Sequence, residues 1–125
     1  MKILLLIISL LLLSSSLLLA KDPDCSGVER WPTKIAYGKL KNAGITNNYN
    51  MDFTKTKTVR LASEKIGEDL YRQVHYIKFT EISGKTIEVL TVNDVSSEEC
   101  SMSDVDVYVI AKHFEPYPQL PSISR

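Results

Sequence analysis

The sequence predicts an α+β domain in which an N-terminal helix packs on an antiparallel four-stranded meander sheet with one disulfide. One stretch with helical periodicity begins at Pro32, and four stretches rich in β-branched and aromatic residues follow it, separated by short links. Consecutive strands with short links favour an antiparallel sheet, and one amphipathic helix covers one face of such a sheet. The third observation is a pair of cysteines, Cys25 and Cys100, that brackets most of these elements.

Residues 1–20 have the pattern of an export signal. Lys2 precedes a long apolar run, and small residues, including Ala20, follow that run. We predict cleavage after Ala20 and a periplasmic or secreted mature chain. The apolar stretch is also nearly as long as the roughly twenty residues that span a membrane, and Leu18 is unfavourable near the cut. An uncleaved anchor is therefore the alternative.

We predict a single domain over residues 21–113. Both cysteines lie within it, and an even pair in an exported chain predicts a disulfide between Cys25 and Cys100. Neither cysteine belongs to a Cys-x-x-Cys motif or has a histidine close by in the sequence, so a metal or redox site is not indicated. We expect no cofactor.

The helix is predicted over residues 32–43. Pro32 suits the first helical position, Ile35, Ala36 and Leu40 share one face, and Gly44 suits the C-terminal cap. Trp31, just before it, is expected to pack under the start of the helix, with an exposed interface anchor as the alternative.

The four strands are predicted over residues 53–66, 70–81, 86–92 and 104–111. Ser83-Gly84-Lys85 is typical of a hairpin turn between the second and third strands. Ser96 and Glu99 have capping-box spacing, which predicts one short helical turn before Cys100. Residues 114–125 contain three prolines and are expected to form an extended tail.

The charge of the chain is balanced but uneven along its length. Loss of Lys2 with the signal leaves one more acidic than basic residue, which argues against nucleic-acid or membrane binding by the mature chain. The charged residues between positions 30 and 60 are basic with the single exception of Asp52, and the acids concentrate further on. The strands either fold these two charge sets together or leave a basic and an acidic end.

The candidate partner-binding residues are five acids within a short stretch that no basic residue interrupts: Asp94, Glu98, Glu99, Asp104 and Asp106. Such a cluster suits docking on a protein with a basic surface, because complementary charge speeds encounter and fixes register. A solvated loop and strand edge is the plainer alternative. Calcium is a third, although the Asp-x-Asp-x-Asp-Gly loop pattern is missing.

The sequence offers little for catalysis. His75 and His113 are the only histidines, no serine lies in a Gly-x-Ser-x-Gly elbow, and two separated histidines are too few for zinc. We therefore expect a small exported protein-binding domain, an inhibitor or a toxin-immunity protein. The alternatives are a small secreted hydrolase with a His–carboxylate pair and a structural envelope component.

Overall fold

The computed structural model describes residues 21–112, which form one α-helix, one 3-10 helix and one four-stranded sheet. The strands are hydrogen-bonded in sequence order, and every neighbouring pair is antiparallel. The predicted α+β fold is confirmed, although residues 21–30 precede the helix. The elements are α1 (Trp31–Asn42), a 3-10 helix (Phe53–Lys55), β1 (Lys57–Gly67), β2 (Leu70–Thr80), β3 (Thr86–Val95) and β4 (Asp106–Lys112).

Helix α1 begins and ends close to the predicted positions. Arg30 is extended, and Pro32 occupies the first turn, where its missing N–H leaves no bond unmade. At the other end Gly44 has a left-handed φ of 74°, and Ile45 N–H donates to the Leu40 carbonyl at 3.0 Å. A glycine in this conformation allows the last carbonyls of the helix to accept hydrogen bonds as the chain turns away. No helix within residues 21–112 has the length and apolarity to cross a membrane.

The hydrophobic core lies between α1 and the inner face of β2 and β3. Leu40 packs there with Ile77, Phe79, Ile87 and Val89, the last four fully buried. The strand residues alternate with outward-facing neighbours, because successive side chains of a strand point to opposite faces. The core occupies the half of the sheet nearer the β2–β3 hairpin.

Two local predictions are wrong. The first strand begins at Lys57 rather than residue 53, because the Asp52 carboxylate accepts the Thr54 N–H at 3.1 Å and caps a 3-10 turn. No helical turn forms at Ser96. Its hydroxyl accepts the Glu99 N–H at 3.2 Å, as a capping serine would, but its own N–H donates to the Glu99 carbonyl at 2.8 Å and closes a tight loop.

The predicted disulfide is present. Cys25 and Cys100 are bonded with their Cα atoms 5.7 Å apart. The bond joins the segment of residues 21–30 to the connection between β3 and β4, here called the 96–105 loop. The predicted signal, His113 and the proline-rich tail lie outside the described residues.

Candidate partner-binding surface

Two buried amides hold the chain segments on either side of the disulfide. On β2, Gln73 is fully buried, and its Nε2 donates to the Pro23 carbonyl at 2.7 Å. On β3, Asn93 is 2% exposed, and its Nδ2 donates to the Cys100 carbonyl at 2.8 Å. A buried amide that bonds a backbone carbonyl fixes that backbone, because leaving either group unpaired is costly. Gln73 and Asn93, which lie on the inner face of the sheet, therefore anchor residues 21–30 and the 96–105 loop.

A cleft of about 470 Å³ opens beside the disulfide. The start of α1 forms one wall, and the first residues of the 96–105 loop form another. Trp31 is 38% exposed and lines this cleft, so the expectation that it packs under the helix is wrong. The charged residues that line the cleft are Asp24, Glu29, Arg30, Lys34, Glu98 and Glu99.

The structure separates the five candidate acids. Glu98 and Glu99 are exposed on the 96–105 loop and line the cleft. Asp94, Asp104 and Asp106 line a second depression at the ends of β3 and β4. The five acids are close to one another only along the chain. In the fold, the alternation of side chains on the strands and the path of the 96–105 loop direct them to different surfaces.

Two of these acids are already paired within the molecule. Arg72 donates to both carboxylate oxygens of Asp94, at 2.9 and 3.2 Å, and Lys39 Nζ donates to Asp104 at 3.0 Å. The hydrogen bond from Lys39 lowers the pKa of Asp104, so this carboxylate is charged at neutral pH. Among residues 21–112, Glu98, Glu99 and Asp106 form no ion pair.

The β1–β2 turn adds to the negative charge beside the loop. The Asp69 carboxylate accepts the Ser97 N–H at 3.0 Å and the Ser97 hydroxyl at 2.7 Å. The hydroxyl bond lowers the pKa of Asp69, which keeps it ionised. Glu68, its neighbour, is exposed and lines a depression shared with Glu98 and Glu99.

The upstream basic residues do not form a separate end. Lys39 pairs with Asp104, and Arg30 and Lys34 line the same cleft as Glu98 and Glu99. The fold therefore brings part of the basic set against part of the acidic set. This agrees with the first of the two alternatives that the sequence left open, although no local pattern indicates the pairing of Lys39 with Asp104, which are 65 residues apart.

His75 offers no acid–base contact to a substrate. It is 1% exposed, and neither ring nitrogen has a hydrogen-bond partner among the described residues. Burial lowers its pKa, and the nearby Arg60 lowers it further, so the ring is neutral at pH 7. Within residues 21–112, no group of three or more His, Cys, Asp or Glu is placed to hold a metal ion.

The chain matches no family model, no curated protein and no solved structure in comparisons with known proteins. An exposed tryptophan beside exposed carboxylates provides an apolar anchor and charge, which are two features of protein–protein contacts.

Proposed function

We propose that the chain is a small exported protein-binding domain, an inhibitor or a toxin-immunity protein, that docks on a basic partner protein. The observation that carries the proposal is the pair of exposed carboxylates, Glu98 and Glu99, on a loop that the disulfide fixes. The leader-like residues 1–20 and the disulfide support export, because disulfides persist in oxidising compartments.

The rigidity of the 96–105 loop supports a binding role. The loop is held by the disulfide at Cys100, by Asn93 beneath it and by the Asp69 bonds to Ser97. A loop that is ordered before binding loses less conformational entropy when a partner docks. Trp31, on the opposite wall of the cleft, supplies the aromatic side chain that often dominates such a contact.

The charge around the loop supports a basic partner. The acids lie on two sides of the 96–105 loop. The ends of β3 and β4 carry Asp94, Asp104 and Asp106, and the cleft is lined by Glu98 and Glu99. Asp94 and Asp104 are already paired with basic side chains of this chain, so we assign them to the long-range attraction of the partner. We assign Glu98 and Glu99 to direct contact with it. Complementary charge raises the association rate and makes it dependent on salt.

Site-specific cross-linking in the producing cell identifies the partner. A photo-reactive amino acid at the exposed Ser101 lies on the loop without replacing a candidate contact. Binding of the purified partner is then measured for E98Q/E99Q, which removes two negative charges at the site. The matched control, I82K/S83K, adds two positive charges on the exposed β2–β3 turn.

We expect E98Q/E99Q to bind at least tenfold more weakly, with a slower association rate, and I82K/S83K to bind within about twofold of the natural chain. A captured partner that binds E98Q/E99Q with unchanged affinity contradicts the assignment of these two glutamates. An equal loss in both variants means that net charge alone matters, which also contradicts it.

N-terminal sequencing tests export and separates this proposal from an envelope component. A mature chain that starts at Lys21 agrees with release after signal cleavage. A chain that starts at Met1 supports a tethered envelope component instead. A hydrolase needs an accessible base, and the burial of His75 does not favour one.

A further inference from the structure

We propose that the inner face of the sheet contains an internal water site, where about two water molecules bridge four buried polar side chains of β2 and β3. These side chains, here called the buried polar cluster, are Gln73, His75, Thr91 and Asn93. Each is at most 2% exposed. Gln73 lies directly opposite Asn93 on the neighbouring strand, and His75 lies directly opposite Thr91. The four side chains therefore form one compact group.

The buried polar cluster lacks hydrogen-bond partners. Among residues 21–112, six buried side-chain nitrogen and oxygen atoms have no partner, and five of the six belong to the cluster. They are Gln73 Oε1, Asn93 Oδ1, Thr91 Oγ1 and both ring nitrogens of His75. Buried polar groups in folded proteins nearly always have a partner, because leaving one unpaired lowers stability. The concentration of these atoms at one place therefore points to a ligand there.

The orientation of the two amides is fixed by their other bonds. Gln73 Nε2 donates to the Pro23 carbonyl at 2.7 Å, and Asn93 Nδ2 donates to the Cys100 carbonyl at 2.8 Å. A carbonyl only accepts hydrogen bonds, so turning either amide over would break its bond. Gln73 Oε1 and Asn93 Oδ1 are therefore acceptors that need a donor.

The hydrogen-bonding capacity of the cluster matches that of water. Burial and Arg60 lower the pKa of His75, so at neutral pH one ring nitrogen donates and the other accepts. The Thr91 hydroxyl can donate or accept, and the two amide oxygens accept. Water both donates and accepts, and a buried water makes about three hydrogen bonds. About two waters therefore serve all five atoms and contact each other.

A charged ligand would fit this site poorly. A cation would meet the positive charge of Arg60, which lies directly opposite His75 on β1. No carboxylate belongs to the cluster, and Asp24 acts on the pKa of His75 less than Arg60 does. An anion would meet the two amide oxygens, which repel it. The neutral, mixed set of donors and acceptors therefore favours water over an ion.

Two distant segments of the chain close the site. Pro23 and Cys100, whose carbonyls accept from the two amides, belong to residues 21–30 and to the 96–105 loop. The disulfide joins these two segments. Waters enclosed in this way are part of the folded structure and are costly to remove. We therefore expect them to be ordered in a crystal.

The first test is a crystal structure of the purified chain, as processed by the cell, at a resolution that shows ordered water. We expect water density within about 3.2 Å of Gln73 Oε1 and Asn93 Oδ1, and of a ring nitrogen of His75. A direct bond between Thr91 and His75, with no water at either amide oxygen, overturns the proposal. A side chain from residues 113–125 in the site also overturns it.

The second test is urea unfolding of T91V, which keeps the shape of the side chain and removes the hydroxyl. If the hydroxyl bonds water, we expect the folding equilibrium constant to fall about fivefold. If the hydroxyl is unpaired, its removal raises that constant or leaves it unchanged, which contradicts the proposal. The matched control is T86V, a half-buried threonine on the other face of β3, which should stay within about twofold of the natural chain.

Discussion

Lys39 joins helix α1 to the far end of the 96–105 loop through two bonds. Its Nζ donates to the Asp104 carboxylate at 3.0 Å and to the Val105 carbonyl at 2.6 Å. Asp104 is exposed, whereas Val105 is fully buried. The helix therefore positions the loop at its C-terminal end, and Asp69 positions it near its start through Ser97.

The two bonds of Lys39 should contribute unequally to stability. K39M keeps most of the side-chain stem and removes both bonds, and we expect it to lower the free energy of unfolding by about 1 kcal/mol. D104N removes only the exposed ion pair and should have a smaller effect, because such pairs contribute little. Urea unfolding of both variants measures the difference. A greater loss in D104N than in K39M would contradict this ranking.

The disulfide should supply a large share of the stability. Cys25 and Cys100 are separated by 75 residues, and a loop of that length contributes at most about 4.5 kcal/mol on chain-entropy grounds. We expect C25S/C100S to lose about 2–4.5 kcal/mol in denaturant unfolding. Addition of a strong reductant to the natural chain, followed by the same measurement, should give a comparable loss. Unchanged stability in both measurements would contradict a stabilising role for the disulfide.

The fold was predictable because its signals are local. Pro32 and Gly44 mark the helix, Ser83-Gly84-Lys85 marks the hairpin, and alternating residues mark the last strand. The edges of the elements were less predictable. Asp52 caps a 3-10 turn where strand composition alone suggested β1, because two hydrogen bonds from Thr54 to its carboxylate outweighed strand propensity there.

The candidate site was only partly predictable. The acids of residues 94–106 were visible in the sequence, but the contacts that divide them are not local. Gln73 bonds a carbonyl 50 residues away, and Lys39 bonds a carboxylate 65 residues away. Chain spacing carries no information about such pairs. The exposure of Trp31 likewise depends on a cleft between two segments that are distant in the sequence, residues 23–34 and 96–100.

Asn93 should control the order of the 96–105 loop. In N93A the Cys100 carbonyl loses its donor and a buried space opens beneath the loop. We expect a loss of about 1–3 kcal/mol in unfolding free energy and faster amide exchange at Glu99 and Met102, whose N–H groups are bonded within this region. N50A, an exposed asparagine in another loop, is the control and should leave these amides unchanged. Unchanged exchange in N93A would show that the disulfide and the Asp69 and Lys39 contacts order the loop without Asn93.

His75 should make the fold less stable in mild acid. Its pKa is lowered by burial and by Arg60, which lies directly opposite on β1, while Asp24 acts weakly in the other direction. Well above pH 6.5 the ring is neutral in both the folded and unfolded chains. Below pH 6.5 the unfolded chain binds a proton that the folded chain resists, so the free energy of unfolding falls until the folded pKa is reached. One such group changes it by at most about 1.4 kcal/mol per pH unit.

H75Q removes this titration and retains a polar side chain of similar size. We expect urea unfolding between pH 7.5 and 5.5 to show falling stability for the natural chain and a flatter profile for H75Q. His113 is present in both proteins, so the difference between the profiles reports on His75. The carboxylates with shifted pKa values titrate below this pH range, because the pKa values of Asp24 and Asp104 are lowered from an ordinary value of 3.8. Parallel profiles would mean that His75 takes up its proton as readily in the folded chain as in the unfolded one.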